Sequence, residues 1–162
     1  MLSIQPAGVK EISLIRKLAY EIWPAAYNTI LSAGQLQYVL QLMYSEEALI
    51  NQMREGQQFY IAYDNGVPAG FAAFGTYGAT TYKLHKIYVL PQMQGKGTGG
   101  QLLQFVIEKV KENTATALIL NVNRQNSALH FYKKMGFEIA EEVNIDIGRG
   151  YFMNDYIMKL AL

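Results

Sequence analysis

Residues 94–100 read QGKGTGG, so four of the seven positions are glycine and one is lysine. The stretch follows a strand-like pattern at residues 82–90 and precedes apolar positions with helical spacing at residues 102–110. Glycine lacks a Cβ and tolerates positive φ, which lets the backbone approach a ligand closely. Consecutive amides at the start of a helix bind phosphate or pyrophosphate, and Lys96 adds a positive charge. The stretch therefore predicts a strand–loop–helix unit that binds a phosphate-containing ligand.

The loop has three alternative interpretations. Gly95, Gly97 and Gly100 form a literal G-x-G-x-x-G, but a dinucleotide site needs an acidic residue about 20 positions on, at the end of the next strand. The next strand-like segment contains Asn121 and no acid. A Walker A loop needs Ser or Thr after Gly-Lys, and Gly97 stands there instead. A flexible turn without a ligand remains the structural alternative.

Composition predicts one globular domain spanning residues 1–162, with a cytoplasmic location. The chain is 51% hydrophobic with a formal net charge of +1, so no global field attracts nucleic acid. It has no cysteine and two histidines, which excludes disulfides and a thiolate nucleophile and predicts no metal site. No apolar run reaches the roughly 18 residues of a membrane helix, so no membrane contact is predicted. The N-terminal residues lack the pattern of a signal peptide.

Hydrophobic periodicity predicts a mixed sheet with helices on its faces. A short strand at residues 2–4 is expected to end at Pro6, and a helix over residues 8–22 is expected to end near Pro24. Ser32 is expected to cap a second helix, and a third follows Ser45. The remaining expected elements are strands at 59–63, 67–77 and 82–90, a helix at 102–110, a buried strand at 117–122, a helix at 127–135, and a hairpin at 137–160.

Three segments together resemble the GNAT N-acetyltransferases. The loop reads Q-x-x-G-x-G over residues 94–99, like the family's pyrophosphate motif, and HKIYVLP at 85–91 resembles its fourth strand. NRQNSALHFYKKMGF at 123–137 resembles the family segment that follows the fifth strand. The resemblance covers about residues 57–160 and is weaker before them. It implies an α+β fold: a mixed, mostly antiparallel sheet flanked by helices, with a splay between the fourth and fifth strands.

The resemblance implies an acetyl-CoA-dependent N-acetyltransferase with no metal. The pantetheine arm would lie along Ile87, Tyr88 and Val89, beside a strand that splays near Asn121. Asn126 would contact the cofactor or cap its helix, and Phe131 would also contact the cofactor. The implied pyrophosphate site consists of Gln94, Gly95, Lys96, Gly97, Thr98, Gly99 and Gly100. Relatives often carry a larger or basic residue at the position of Gly100, so phosphate binding by this chain is expected to rely more on Lys96.

Two residues are candidates for proton transfer. Tyr132 is the expected acid, because a phenol with a pKa of about 10 stays protonated at neutral pH and can donate to a thiolate. The alternative is that Tyr132 only packs beside Phe131. His85 is the candidate base, since residues 85, 87 and 89 of a strand share one face. The alternative is a packed or surface histidine. With no cysteine, direct transfer in a ternary complex is expected.

The acceptor is expected to be a small amine or polyamine. Trp23 and Tyr27 are candidates for its site, because aromatic faces with a few acids suit an ammonium ligand. The acids available are Glu21, Glu46, Asp146 and Asp155. The segment at 146–158 resembles a polyamine-acetyltransferase-like branch, although the aromatic residues can equally form core. Two alternatives remain open: a non-catalytic acyl-CoA-binding sensor or subunit, and an enzyme for longer acyl chains. The exposed edge of the final hairpin could pair two chains in a homodimer.

Overall fold

The computed structural model describes residues 1–162 and contains seven strands and five α-helices. The strands are β1 (Leu2–Ala7), β2 (Gln58–Asp64), β3 (Val67–Thr76), β4 (Thr81–Val89), β5 (Ala117–Asn123), β6 (Glu138–Gly148) and β7 (Tyr151–Ala161). The helices are α1 (Ile12–Tyr27), α2 (Ala33–Tyr44), α3 (Glu46–Arg54), α4 (Thr98–Glu112) and α5 (Ala128–Lys134). All strands join one sheet in the order β1-β2-β3-β4-β5-β7-β6, and only β4 and β5 are parallel. The expected mixed, mostly antiparallel α+β fold is confirmed.

Local signals place most of the element boundaries. The Ser32 and Ser45 side chains accept hydrogen bonds from Gln35 N and Ala48 N, each at 3.1 Å, and so begin α2 and α3. The turn expected at residues 64–66 joins β2 to β3 with Asn65 and Gly66 at positive φ. Strands β3, β4 and β5, which follow this turn in the chain, also lie where their apolar pattern predicts, and so does α4 after the glycine loop.

Both expectations based on proline were wrong. Pro6 lies inside β1 opposite Tyr60, which is tolerated because β1 is an edge strand and its outer amides need no partner. Helix α1 continues through Pro24 to Tyr27, and Asn28 N still donates to Pro24 O at 3.0 Å. Trp23 and Tyr27 are buried on one side of this last turn, so tertiary packing offsets the hydrogen bond that proline cannot make.

The sheet separates two apolar cores. One core packs α1, α2 and α3 against β2 and β3, and its largest fully buried side chains include Trp23, Tyr44 and Phe71. The other packs α4 and α5 against the opposite face, with Leu102, Leu118 and Met158 at its centre. Each core therefore holds its own set of helices against one face of the sheet.

The splay expected near Asn121 is confirmed. The parallel ladder joins residues 81–84 of β4 to residues 117–120 of β5 and ends at the pair Leu84↔Leu120. Beyond that pair β5 keeps its pairing with β7 as far as Asn123↔Asp155, while β4 keeps its pairing with β3 as far as Val89↔Gly70. The two strands diverge between residues 85–89 and 121–123, which opens the sheet at its centre.

A bulge in β4 changes which side chains share a face. Ala73 pairs with Lys86, but the next residue, Phe74, pairs with Leu84, so His85 is the extra residue. Leu84 and Ile87 consequently contact the same core although they are three positions apart. Simple alternation therefore breaks between Leu84 and Lys86, and the shared face expected for residues 85, 87 and 89 stays a prediction.

Gly70 allows the close approach of β3 to β4 beside the splay. A Cβ at this position would lie 2.3 Å from Tyr88 O and 3.0 Å from Val89 Cα, both backbone atoms that cannot rotate away. We expect Gly70→Ala to lower the free energy of unfolding by about 1–3 kcal/mol, as overpacking does. Urea denaturation measures the change. Gly8→Ala is the control because a Cβ at Gly8 meets nothing within 4 Å; equal midpoints for both variants would contradict the predicted clash.

Candidate active site

A cleft of about 620 Å³ opens at the splay. Its walls come from the end of α1, the diverging strands β4 and β5, the start of α4, and α5. The structure brings together all but one of the residues expected to bind the cofactor: Ile87, Tyr88, Val89, Gln94, Gly95, Gly97, Thr98, Gly99, Gly100, Asn121, Asn126 and Phe131. Tyr132 and Tyr27 also line the cleft. Lys96, His85 and Trp23 do not.

The glycine loop presents a run of unpaired backbone donors. Gly95 and Gly97 have φ of 81° and 79°, so both occupy the left-handed region that glycine favours. The amides of residues 95–100 have no hydrogen-bond acceptor within the protein. Helix α4 begins at Thr98, so the positive end of its dipole lies at the same place. A Cβ at Gly95 or Gly100 would meet nothing within 4 Å, which leaves room for a ligand.

The edge of β4 forms the next part of the cleft. Residues 87–89 have no ladder partner on the side that faces β5, because the parallel pairing has already ended. The Gln94 side chain donates from Nε2 to Val89 O at 3.2 Å and so ties the loop to the strand end. An exposed strand edge binds an extended ligand by backbone hydrogen bonds, as in strand addition.

Tyr132 lies inside the cleft with its hydroxyl free. Its ring is buried on α5 and packs against Phe131 and Phe137, with ring centroids 5.4 Å and 5.9 Å apart. Burial raises the pKa of Tyr132, and the nearby Tyr27 adds to the rise. No side-chain hydrogen bond opposes this shift. The group therefore keeps its proton at neutral pH and has it available to donate.

Tyr27 joins two walls of the cleft, the end of α1 and the segment before α5. Its hydroxyl accepts a hydrogen bond from Asn126 Nδ2 at 3.2 Å. Asn126 Oδ1 in turn accepts from Ala128 N at 2.9 Å, so Asn126 supports the first turn of α5 as expected of a cap. Trp23 stacks on Tyr27 at 4.4 Å but is itself only 2% exposed. Tyr27 thus reaches the cleft, whereas Trp23 supports it from the core.

Lys96 and His85 lie outside the lining for different reasons. The Lys96 side chain is exposed, and its Nζ lies 3.9 Å from Asp64 Oδ2. An exposed ion pair of this kind adds little to stability, so a ligand can replace it. His85 occupies the bulge in β4. Burial lowers the pKa of His85 to about 4, and the charges of Lys86 and Lys83 add to the shift. Its imidazole is therefore neutral at pH 7 and a weaker base than an ordinary histidine.

The end of α1 supplies cleft residues that sequence reasoning missed. Ile22, Ala25 and Ala26 line the cleft beside Tyr27. Tyr27 was predicted from this turn but its neighbours were not, because the helix was expected to end near Pro24. The signal that could have found it is the spacing of Ile22, Ala26 and Tyr27 across the proline, which continues the apolar stripe of α1.

Comparison with known proteins identifies the family. Residues 55–139 match the family model described as an acetyltransferase (GNAT) domain, which is more than half of the chain. The chain belongs to the GNAT acetyltransferase family. The matched segment contains the glycine loop, both diverging strands, and α5 with Tyr132. It leaves out α1 to α3 and nearly all of the final hairpin, so the cleft wall contributed by α1 lies outside the matched segment.

Individual GNAT proteins resemble the chain over different lengths. It is 30% identical to the L-amino acid N-acyltransferase MnaT of Escherichia coli over 113 residues, which is 66% of each chain. It is 25% identical to the spermidine N(1)-acetyltransferase of Thermoplasma acidophilum over 146 residues, covering 86% of this chain and 90% of that one. The structure of the PaiA N-acetyltransferase of Thermoplasma acidophilum in complex with coenzyme A superimposes with a TM-score of 0.86 at 24% identity, covering 100% and 99% of the two chains.

Two further observations limit the kinds of site that the fold contains. No group of three or more His, Asp or Glu side chains is arranged to hold a metal ion. No helix is both long and apolar enough to cross a bilayer.

Lys86, next to His85, is the only buried lysine, and its titration can be tested. Its Nζ donates to Gln57 Oε1 at 3.1 Å and lies over the rings of Tyr44 and Phe59. Burial lowers the pKa of Lys86 to about 7, with a smaller contribution from the charge of Lys83. Between pH 7 and its ordinary pKa, the unfolded state therefore binds more protons than the folded state, and stability rises with pH.

We expect the free energy of unfolding to rise by about 2 kcal/mol between pH 7 and pH 9 because of Lys86. Lys86→Met is expected to remove this rise, whereas Lys10→Met, at an exposed position, is expected to keep it. Urea denaturation at a series of pH values measures the slope. An equal rise in Lys86→Met and the wild type would contradict the assignment.

Proposed function

We propose that the chain is an acetyl-CoA-dependent N-acetyltransferase that moves an acetyl group to a primary amine. One observation carries the proposal: the splay joins a run of free loop amides to the unpartnered hydroxyl of Tyr132 within one cleft. Family membership supports it, since the relatives described above are named as N-acyltransferases and N-acetyltransferases. The family relationship and the geometry of the cleft therefore favour the same reaction.

The cleft fits coenzyme A in two parts. The amides of residues 95–100 and the start of α4 form an anion site with space where side chains would otherwise stand. The open edge of residues 87–89 would accept the amide groups of the pantetheine arm as an added strand. A backbone amide there, of Ile87 or Val89, would polarise the thioester carbonyl. Lys96 would exchange its exposed contact with Asp64 for a phosphate.

Tyr132 is the proposed acid. The neutral amine attacks the thioester carbon, the C–S bond breaks, and the departing sulfur takes the phenolic proton of Tyr132. The attacking nitrogen loses one proton as the amide forms, and this proton returns to the phenolate through water. A chain without cysteine has no thiolate to carry the acetyl group, so the amine attacks directly in a ternary complex.

No residue of the lining is an Asp, Glu, Lys, Arg or His. The proton of the acceptor ammonium therefore leaves through water. His85, at the bulge and outside the lining, can receive it only through that water. The low pKa of His85 limits its share of this task.

The acceptor is proposed to be a small amine or a polyamine. Tyr27 offers an aromatic wall on the α1 side, and the lining contains no cation that would bind a substrate carboxylate. The similarity to a spermidine acetyltransferase extends over most of both chains, which supports this class. A non-catalytic acyl-CoA sensor is the second candidate, favoured by the lack of a direct proton acceptor in the lining.

The first experiment measures thiol release from acetyl-CoA with polyamines, monoamines, amino acids and lysine peptides as acceptors. We expect turnover with an amine, and we expect Tyr132→Phe to lower kcat by about 100-fold, in the range of general acid catalysis. The stability of Tyr132→Phe should match that of the wild type, because the hydroxyl has no partner to lose. Binding of CoA without thiol release from any acceptor would favour the sensor instead.

A second experiment tests the anion site by calorimetric titration with CoA. Alanine is disfavoured by roughly 1–2 kcal/mol in the left-handed region, so Gly97→Ala, at a φ of 79°, should displace the loop amides. We expect its Kd for CoA to rise at least about 10-fold. Gly150→Ala is the matched control, because Gly150 has the same φ in the distant β6–β7 turn. Equal Kd values for the two variants would contradict the proposed anion site.

A further inference from the structure

Asp155 on β7 is the only buried acidic residue, at 6% exposed. Its Oδ2 accepts a hydrogen bond from Asn121 Nδ2 at 3.4 Å, while its Oδ1 is buried without any hydrogen-bond partner. Buried polar atoms are nearly always paired, because an unpaired one loses the hydrogen bonds of water without replacement. A carboxylate kept in this state requires an explanation beyond the stability of the fold.

The position of Asp155 relates it to the cleft. It lies at the last β5–β7 pair, Asn123↔Asp155, where β5 diverges from β4. Its neighbours Tyr156 and Met158 face the core beneath α4 and α5, so Asp155 faces the opposite side, where α1 lies. Asn121, its hydrogen-bond partner, and Tyr27, whose pKa its charge raises, both line the cleft. Asp155 thus lies directly behind the cleft wall.

The cations near Asp155 are engaged elsewhere. Burial raises the pKa of Asp155, and the Asn121 hydrogen bond and the charges of Lys83 and Arg124 oppose the rise. Neither cation forms an ion pair with it, since Arg124 binds Glu142 and Asn144. Lys83 Nζ lies over the ring of Tyr77, 5.8 Å from its centroid. The negative charge of Asp155 therefore has no direct counter-ion in the protein.

The carboxylate also fixes the orientation of Asn121. A carboxylate only accepts hydrogen bonds, so the NH₂ group of Asn121 must face Asp155. This leaves Asn121 Oδ1, an acceptor on a partly exposed cleft residue, without a hydrogen bond from the protein. An ammonium group in the cleft is a suitable donor to that oxygen.

We propose that Asn121 and Asp155 together form the ammonium-recognition element of the acceptor site. Asn121 Oδ1 accepts an N–H of the acceptor, and Asp155 acts as a positioning residue that orients Asn121 and supplies negative charge behind it. An acceptor with a carboxylate beside its amine meets this charge and finds no Lys, Arg or His in the lining. The element therefore selects amines without a neighbouring carboxylate. The inference rests on the proposed function and narrows its acceptor class.

The test is calorimetric titration of spermidine into protein saturated with CoA, which cannot react. We expect Asp155→Asn to weaken spermidine binding at least about 10-fold, a loss of about 1.4 kcal/mol. The Kd for CoA should stay within about twofold, because Asp155 itself does not line the cleft. Glu141→Gln is the matched control, because it removes the same charge from an exposed position on the neighbouring strand β6.

Steady-state kinetics distinguish positioning from a structural role. Asp155→Asn should raise KM for spermidine more than it lowers kcat. It should also narrow the preference for spermidine over methionine, an acceptor that carries a carboxylate beside its amine. If Asp155→Asn does not fold, Asn121→Ala at its partly exposed position removes the accepting oxygen and should cause the same loss of spermidine binding.

Equal spermidine affinity in the wild type and the folded variant would overturn the inference, and so would a wild type that binds CoA but not spermidine. Neither result would contradict the proposed acetyl transfer, but the acceptor would then have to be a different amine. Failure to bind CoA would instead overturn the proposed function.

Discussion

The parallel ladder between β4 and β5 ends at Leu84↔Leu120, and the proposed function depends on that interruption. Each strand stays paired on its other side, β4 with β3 and β5 with β7, so the divergence does not unfold either one. The two cores, each with its own helices, hold the divided sheet together from opposite faces. The cleft is therefore part of how the sheet and its helices pack, and it exposes backbone donors and acceptors that a continuous sheet would satisfy internally.

The unpaired hydrogen-bonding groups of the cleft indicate which ligands it can bind. The loop amides of residues 95–100 require an anion, and the free edge of residues 87–89 requires an extended chain with amide groups. The Tyr132 hydroxyl has a proton to donate, and Asn121 Oδ1 has a lone pair to offer. A ligand with phosphate groups at the loop and an ammonium group near Asn121 would satisfy these unpaired groups. Acetyl-CoA and an amine acceptor together have these features.

The sequence predicted those features that depend on residues close together in the chain. Apolar periodicity, the serine caps and the glycine loop predicted nearly all elements. The loop, strand and α5 motifs predicted most of the residues that line the cleft proposed to bind the cofactor. The bulge at His85 was invisible, because alternation assumes a regular strand and the irregularity arises from pairing with β3. The continuation of α1 past Pro24 depends on tertiary packing. The position of Asp155 behind Asn121 depends on the pairing of distant strands β5 and β7, and no local pattern encodes it.

Amide NMR spectroscopy of the labelled protein during titration with CoA tests the proposed coenzyme A site most directly. We expect large shifts for the amides of residues 95–100, which have no acceptor in the free protein, and for those of residues 87–89 along the open edge. Amides in the β6–β7 turn should not move. Saturable shifts confined to other parts of the chain, or none at all, would contradict the claim that the splay and the glycine loop form a coenzyme A site.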